Sequence, residues 1–228
     1  MHVALVTETD AWQQASALGN ERNWLSASES ARLATLKHDA RRQQFLGCRW
    51  LLRQMMKWAY PDLTQPWQFT ATAGGAPTLP AQPDLHFSLS HSGALLLAVV
   101  ADQPVGVDLE RLQSNKPRRP LAELVCHPQE LQQLQALTGT ASERRVLEYW
   151  VIKEAWGKAH AGAWPNVHRY WLQASAKKCA SIGYWWQGDY VCAIAAERVS
   201  DLLGHGLLAA TVQPACWGRM STDQQAQT

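Results

Sequence analysis

Two apolar hairpins of similar outline constrain the fold of this 228-residue chain more than any other feature of its sequence. The first reads FSLSHSGALLLAVV over residues 87–100, and the second reads YWWQGDYVCAIAA over residues 184–196. Each follows a stretch with helical periodicity and has a glycine-bearing turn between two apolar segments, which predicts a pair of strands. The sequence therefore predicts an α+β fold of two similar halves, residues 1–103 and 104–228.

Capping signals and periodicity predict the individual elements. Ser26 and Glu29 form a capping-box pattern that opens a helix, and Pro61 ends the longer helix that follows. The expected helices cover residues 26–36, 39–58, 128–137 and 141–160, and the expected strands cover residues 3–6, 85–89, 94–100, 105–110, 170–174, 182–186 and 190–196. We expect a loop with little regular structure over residues 70–83 and a polar, frayed tail from about residue 213.

Composition and charge limit the classes of function. The 46% hydrophobic content is enough for a substantial core, and a formal net charge of +2 does not indicate bulk nucleic-acid binding. The five cysteines are scattered without CxxC spacing, so neither a disulfide framework nor a zinc site is indicated. The N-terminus does not resemble a signal peptide, and the longest apolar run, residues 94–101, is too short to span a bilayer. We therefore expect a soluble cytoplasmic protein with reduced thiols.

A pair of carboxylates in the segment GVDLER, residues 106–111, is the first candidate for chemistry. The alternation of a strand places Asp108 and Glu110 on one face. Hard oxygen ligands of this kind suit magnesium, which is often held by one or two carboxylates together with the phosphates of a substrate. On this segment alone, the simpler interpretation is a solvated strand edge whose carboxylates pair with Arg111 or Arg118.

Two further segments add candidate groups. The segment WVIKEAWGKA, residues 150–159, predicts a helix with Glu154 and Lys158 one turn apart on one face. The segment SHSG, residues 90–93, predicts a turn whose hydroxyls, imidazole and exposed N–H groups suit a phosphate. Taken singly, each has an ordinary explanation, a surface ion pair in the helix and a hairpin turn between two strands.

The three segments together, SHS, then GVDLE, then WxxKEAxxK, resemble the 4'-phosphopantetheinyl transferases in their order and spacing. They are most similar to the monomeric, surfactin-synthetase-activating type, over residues from about Ser26 to Ala196. The resemblance implies two similar α+β halves around a pseudo-two-fold axis, with coenzyme A bound in the cleft between them. The implied reaction transfers phosphopantetheine from coenzyme A to a serine hydroxyl of an apo acyl or peptidyl carrier protein and releases 3',5'-adenosine bisphosphate.

The resemblance also implies roles for individual residues. Asp108, Glu110 and Glu154 match the family's magnesium ligands, where manganese could take the place of magnesium. Glu154 further matches the proposed general base for the carrier serine, and Lys158 matches a lysine that contacts the pyrophosphate. The implied contacts to coenzyme A are Ser90 and His91 near the 3'-phosphate, Arg32 at the same phosphate, Arg49 and Arg53 in the long helix, the loop residues Gly75 and Pro77, and Asp108 and Lys158.

The arginines of the first long helix and the loop before the SHS segment need separate interpretation. Arg42, Arg49 and Arg53 follow one helix face, so a solvated face, support of the cleft and phosphate binding all fit their spacing. The loop Gly74–Pro77 stands where the family usually has Gly-Lys-Pro, and Ala76 replaces the lysine.

Two other classes of function use the same residues. A metal-dependent phosphodiesterase or nuclease would use the carboxylates to activate water, but the near-neutral charge and the lack of a second cluster of metal ligands count against it. A non-catalytic carrier-protein-binding module has no need of three carboxylates together with Lys158. We therefore expect a monomeric, magnesium-dependent transferase that takes coenzyme A and a carrier protein, with neither nucleic acid nor membrane as a partner.

Overall fold

The chain forms two compact units in the computed structural model, which describes residues 1–20, 23–63, 67–71, 77–113, 119–160, 170–174, 182–197 and 217–222. Unit 1 consists of Met1–Leu89 and Ala94–Gln103, and unit 2 consists of Ser90–Gly93 and Pro104–Thr228. Each unit contains helices and antiparallel strands, which confirms the predicted α+β class. In the described part of the chain, no helix combines the length and the apolar character needed to cross a membrane.

Unit 1 packs one long helix against a three-stranded sheet. Its helices are α1 (Glu8–Ala17), α2 (Ala27–Thr35) and α3 (Asp39–Ala59). The sheet has the order β1-β5-β4, formed by β1 (His2–Thr7), β4 (His86–Ser92) and β5 (Leu95–Ala101), and a separate ladder joins β2 (Thr70–Ala71) to β3 (Pro77–Thr78). Leu52 and Met56 of α3 share a buried cluster with Leu96 and Ala98 of β5. Burial of such side chains stabilises the unit by about 1.5–3 kcal/mol each for the larger ones.

Unit 2 repeats this connectivity. It contains β6 (Val105–Arg111), α4 (Arg119–Val125), α5 (Pro128–Leu134), α6 (Gly139–Ala159), β7 (Tyr170–Ala174), β8 (Ile182–Gln187), β9 (Tyr190–Ala196) and β10 (Trp217–Thr222). One sheet has the order β6-β9-β8. Its central strand, β9, is the second strand of the β8–β9 hairpin and pairs with β6, the first strand of the unit, just as β5 of the β4–β5 hairpin pairs with β1 in unit 1. The antiparallel register places Asp108 opposite Ala193 and Glu110 opposite Val191. A second ladder joins β10 to β7.

In each unit, a buried ion pair connects the long helix to the shorter helix that precedes it in the sequence. Glu29, at the third position of α2, completes a capping box with Ser26 and forms salt bridges with Arg49 and Arg53 of α3. The equivalent arrangement in unit 2 uses the capping box of α5, whose glutamate pairs with a lysine of α6. These residues are Glu130 and Lys153, and both side chains have no exposed surface. Because a buried charge without its partner is costly, each pair specifies one packing of its two helices.

Several elements differ from the sequence-based expectations. Helix α1 was not predicted, because it buries only Ala11 and Ala15 and so has no apolar stripe. The signal that could have revealed it is its N-cap, where the Thr7 side chain accepts a hydrogen bond from the Asp10 N–H. The expectation of a loop over residues 70–83 is wrong in part, since β2 and β3 pair there. The expectation of a frayed tail from residue 213 is wrong for β10, where pairing with β7 outweighs the polar local sequence.

The SHS segment also differs from its prediction. We expected residues 90–93 to form a turn, but β4 continues to Ser92 and the turn comprises Gly93 and Ala94. Gly93 has a φ of +55°, a left-handed conformation that glycine adopts without strain. The serine side chains are therefore presented from an extended segment, in which Ser90 and Ser92 lie on the same face.

Candidate metal and phosphate site

A single glycine sets the distance between β6 and α6. A Cβ atom at Gly106 would lie 2.0 Å from the carbonyl oxygen of Ala155 and 2.5 Å from the amide nitrogen of Ala159. The backbone of α6 therefore rests directly on β6, an approach that any side chain would prevent. The same approach brings the last turns of α6, which carry Glu154 and Lys158, next to the strand that carries the predicted carboxylates.

Lys158 and Asp108 form the centre of the site. The Lys158 Nζ donates to Asp108 Oδ1 at 2.7 Å and to the backbone oxygen of Val107 at 3.0 Å. Asp108 is only 5% exposed, and its second oxygen, Oδ2, is buried and accepts no hydrogen bond from any residue that the structure describes. A buried carboxylate oxygen is costly without a partner, so this oxygen is suited to a cation or a donor group.

The two serines of the SHS segment hold the two carboxylates of β6. Ser90 Oγ donates to Asp108 Oδ1 at 2.8 Å, and Ser92 Oγ donates to Glu110 Oε2 at 3.0 Å. Trp150 Nε1 also reaches Glu110, at 3.4 Å from Oε1. His91, between the serines, is exposed. The predicted approach of Ser90 and His91 to a 3'-phosphate stays a prediction; the contact that the structure describes for the Ser90 hydroxyl is the one to Asp108.

Glu154 is half-buried in a negatively charged environment. Burial raises the pKa of its carboxyl, the neighbouring charge of Asp108 raises it further, and Glu110 adds a smaller effect in the same direction. The ammonium of Lys158 opposes these effects by lowering the pKa of Glu154. The charges of two other carboxylates and one lysine therefore act on Glu154, which is an arrangement that a divalent cation would stabilise.

The predicted metal ligands have the chemistry that a magnesium site needs, but they are not arranged as one. Their oxygen donors have the chemistry that magnesium requires, and the unpartnered Oδ2 of Asp108 is suited to a cation. Within the described ranges, however, no group of three or more His, Cys, Asp or Glu side chains is arranged so that it could hold a metal ion. Asp108, Glu110 and Glu154 are thus neighbours that do not form a ready-made cage.

The arginines predicted for coenzyme A lie in unit 1, and they have different environments. Arg49 and Arg53 are buried and pair with Glu29, so their charges support the packing of α2 on α3. Arg32 is exposed and donates to Thr35 Oγ1 at 3.3 Å. Arg42, on the same predicted face, donates to the backbone oxygen of Leu33 at 2.9 Å. The interpretation of these positions as a solvated helix face is therefore wrong for Arg49 and Arg53.

The remaining predicted residues belong to the loop before β4. Pro77 lies in β3 and is partly buried. Gly75 lies outside the described residues, as does Ala76, which replaces the expected lysine. Sequence reasoning missed the contacts of Ser92 and Trp150 with Glu110, because nothing in the spacing of these residues indicates a shared partner. It also missed the role of Gly106 in the close packing of α6 on β6, for which the only available signal was its place as the first residue of the GVDLE motif.

Comparison with known proteins points to one family. The model of the 4'-phosphopantetheinyl transferase superfamily matches residues 104–195. A protein of that kind from Synechocystis, slr0495, is 32% identical over 138 residues, which are 59% of this chain and 56% of that protein. A 4'-phosphopantetheinyl transferase of Bacillus subtilis is 32% identical over 84 residues, 37% of each chain. The transferase Sfp of Bacillus subtilis strain 168 is 39% identical over 44 residues, 19% of this chain and 20% of that protein. The chain thus spans at most 56% of the length of these relatives.

Proposed function

We propose that this chain, whose residues 104–195 belong to the 4'-phosphopantetheinyl transferase superfamily, transfers 4'-phosphopantetheine from coenzyme A to a serine of an apo acyl or peptidyl carrier protein. The family match confirms the superfamily predicted from the motifs, and the Bacillus relatives support the predicted surfactin-synthetase-activating type. The second product is 3',5'-adenosine bisphosphate. The observation that carries the proposal is the contact of Lys158 with the buried Asp108, beside Glu154 and Glu110.

Magnesium, or manganese in its place, would be held by Asp108, Glu110 and Glu154. Bound there, such an ion would supply positive charge that offsets the charge developing on the leaving phosphate. Asp108 contributes the buried Oδ2, which has no other partner among the described residues. Glu110 and Glu154 would supply further carboxylate oxygens, and the charges of Asp108 and Glu110 already act on Glu154.

Lys158 is suited to the pyrophosphate. An ammonium has three N–H donors, and two of them serve Asp108 Oδ1 and the backbone oxygen of Val107. The third remains for a phosphate oxygen, and the side chain of Lys158 is 32% exposed, so a ligand can reach it. Its two intramolecular bonds fix the position of the charge before the substrate arrives, which is the basis of electrostatic catalysis.

Glu154 acts as the general base for the carrier serine, directly or through a water molecule. A carboxylate of ordinary pKa is a weak base at neutral pH, whereas a raised pKa brings its basicity closer to the working pH. Burial and the charges of Asp108 and Glu110 raise the pKa of Glu154 in the absence of a metal ion, and a cation held beside it would partly offset this effect. The proton leaves the serine oxygen for the Glu154 carboxylate while that oxygen attacks the β-phosphorus of coenzyme A, and the adenosine bisphosphate leaves with the electron pair of the broken P–O bond.

Within coenzyme A, the 3'-phosphate is assigned to Ser90, His91 and Arg32, and the adenine is assigned to the loop of Gly75 and Pro77. The exposed Arg32 has the freedom that this role needs, and the buried Arg49 and Arg53 support the helix instead. We further propose a cytoplasmic monomer that uses neither nucleic acid nor a membrane as a partner. The free, buried thiols of Cys48, Cys126 and Cys192 agree with a reducing compartment.

Mass spectrometry of a carrier protein tests the proposal. The protein is mixed with magnesium, coenzyme A and each of several apo carrier proteins, and we expect one of these carriers to gain the mass of phosphopantetheine. A Glu154→Gln variant serves as the matched control, because it keeps the shape of the side chain and removes the base. The absence of any mass gain across acyl and peptidyl carriers would refute the proposal, and cleavage of a nucleic acid or a phosphodiester under the same conditions would favour a metal-dependent phosphodiesterase.

A further inference from the structure

We propose that Ser92 is a positioning residue of the proposed metal site, whose hydroxyl fixes one oxygen of the Glu110 carboxylate and so limits the freedom that Glu110 would lose on binding a cation. The inference rests on the function proposed above, because that function assigns Glu110 to the metal. Neither the resemblance to the family nor the matched segment gives Ser92 a role. Its position next to His91 suggested a phosphate contact, whereas its hydrogen bonds connect it to β6.

The hydrogen bonds of Ser92 define the direction of its hydroxyl proton. Ser92 Oγ accepts the backbone N–H of Arg111 at 3.1 Å and lies 3.0 Å from Glu110 Oε2. A serine hydroxyl has one proton, and a carboxylate offers only acceptors. Because the amide already donates to the oxygen, the hydroxyl proton is directed to Glu110. Ser92 therefore ties the Glu110 side chain to the backbone of the next residue on the same strand.

The backbone beside Ser92 is itself held in place. Gly93 has a φ of +55°, and a Cβ atom there would lie 2.7 Å from the Tyr190 hydroxyl and 3.3 Å from Arg111 Cδ. The turn therefore lies closely against β6 and β9 and keeps Ser92 within reach of Glu110. A serine on a mobile loop would lose part of this effect, because its own ordering would offset the gain.

The same arrangement occurs one step earlier on both segments. Ser90 bonds Asp108, and Ser92 bonds Glu110, so the bonded residues are 18 positions apart in both pairs. Equal spacing means that the two segments run side by side in the same direction. Two of the three predicted ligands, Asp108 and Glu110, thus have one oxygen fixed by a serine hydroxyl. For Asp108 the other oxygen is the buried Oδ2, which lacks a partner among the described residues.

Fixing a ligand in this way affects metal affinity. A glutamate has several rotatable bonds, and a free side chain must be ordered when the cation binds. Hydrogen bonds from residues outside the ligand set orient the ligands, and removing such a bond typically weakens metal affinity or activity by about 10–100-fold. We expect the lower end of this range for Ser92, since Trp150 Nε1 gives Glu110 a second, longer contact of 3.4 Å.

Binding of Mn²⁺ to the full chain, followed by electron paramagnetic resonance with and without coenzyme A, tests the role of Ser92. We expect Ser92→Ala to weaken Mn²⁺ binding by about tenfold. We expect Ser92→Thr, which keeps the hydroxyl and suits a strand, to bind Mn²⁺ nearly as well as the unmodified protein. Ser16→Ala is the matched control, because Ser16 Oγ bonds only locally, to the Gln13 backbone oxygen at 2.8 Å on an exposed helix. Thermal unfolding of each variant checks that the fold is retained.

The outcomes separate this inference from the proposed function. Unchanged Mn²⁺ affinity in Ser92→Ala, equal losses in the alanine and threonine variants, or no Mn²⁺ binding by the unmodified protein would each overturn the role of Ser92. Transfer of phosphopantetheine by the unmodified protein is measured separately. If transfer occurs but Ser92→Ala binds Mn²⁺ normally, only the positioning role fails; if Mn²⁺ binding weakens as expected but no carrier is modified, only the proposed function fails.

Discussion

Gly106→Ala is the most direct test of how the fold places the site. The new Cβ would meet the Ala155 carbonyl oxygen at 2.0 Å, whereas ordinary van der Waals contact begins at 3.4 Å. The two backbones must therefore separate by about 1.4 Å at this point. A shift of that size lengthens the 2.7 Å contact between Lys158 and Asp108 to about 4 Å, beyond hydrogen-bonding distance.

The expected cost of this variant has two parts. Overpacking of this kind lowers the free energy of unfolding by about 1–3 kcal/mol, which a urea titration measures. Displacement of catalytic groups by about 1 Å lowers a rate by roughly 100-fold, so we expect a loss of at least that size in kcat/KM for transfer. Gly47→Ala is the matched control, because its Cβ would lie 3.3 Å from Ala11 Cβ, a contact that small shifts relieve. Normal transfer and normal stability in Gly106→Ala would refute the direct contact of α6 with β6.

Three further predictions follow from the buried and half-buried charges. Lys153→Met should lower the free energy of unfolding by about 3–5 kcal/mol in a urea titration, because it removes the buried ammonium that offsets the Glu130 charge. A second change, Glu130→Leu, should restore only part of the loss, because it also removes the carboxylate that accepts the His127 N–H. Equal stability of the single variant and the unmodified protein would contradict this. Glu154→Gln should abolish transfer by the carrier-mass assay while leaving the circular dichroism spectrum unchanged; near-normal turnover would exclude Glu154 as the base. Without metal, the raised pKa of Glu154 makes the folded state lose stability as the pH rises from the ordinary glutamate range through that raised value. Glu154→Gln should flatten this pH dependence in urea titrations, and an unchanged slope would assign it to another group.

The strongest local patterns predicted their elements well. The alternation around Asp108 indicated β6, and the structure places that strand at Val105–Arg111. The pattern of WVIKEAWGKA indicated a helix, which α6 contains as its last two to three turns. These patterns succeed because burial on one face imposes a period on the sequence, and the period is set by the backbone geometry of the element.

Tertiary partners were beyond the reach of the sequence. Arg49 and Arg53 have the spacing of a solvated face, and their burial depends on Glu29, a residue that the sequence identified only as part of a helix cap. Lys153, next to the predicted base, gave no sign that it would be fully buried. A lysine or arginine has the same neighbours in the sequence whether its side chain is exposed to solvent or buried in an ion pair. Only the position of its partner in the fold distinguishes these two environments.

The contacts within the site show the same limit. The order of the three motifs placed Asp108, Glu154 and Lys158 in one hypothesis. The contact of Ser92 with Glu110, however, joins two segments that belong to different motifs. The extension of β4 through the SHS segment likewise follows from its pairing and from the position of Gly93, which lies at the turn itself. Turn residues indicate where the chain reverses more reliably than where the strand ends.

The buried Oδ2 of Asp108, which has no hydrogen-bond partner in the described part of the chain, also has a thermodynamic consequence for the whole protein. A buried acceptor without a donor destabilises the folded state by about 1–3 kcal/mol relative to the unfolded chain, in which water solvates it. A cation bound there would relieve this cost in the folded state alone. By mass action, a ligand at 100 times its dissociation constant stabilises the folded state by about 2.7 kcal/mol, so the melting temperature should rise with magnesium concentration. Asp108 would then couple the stability of unit 2 to the ionic composition of the solution around it.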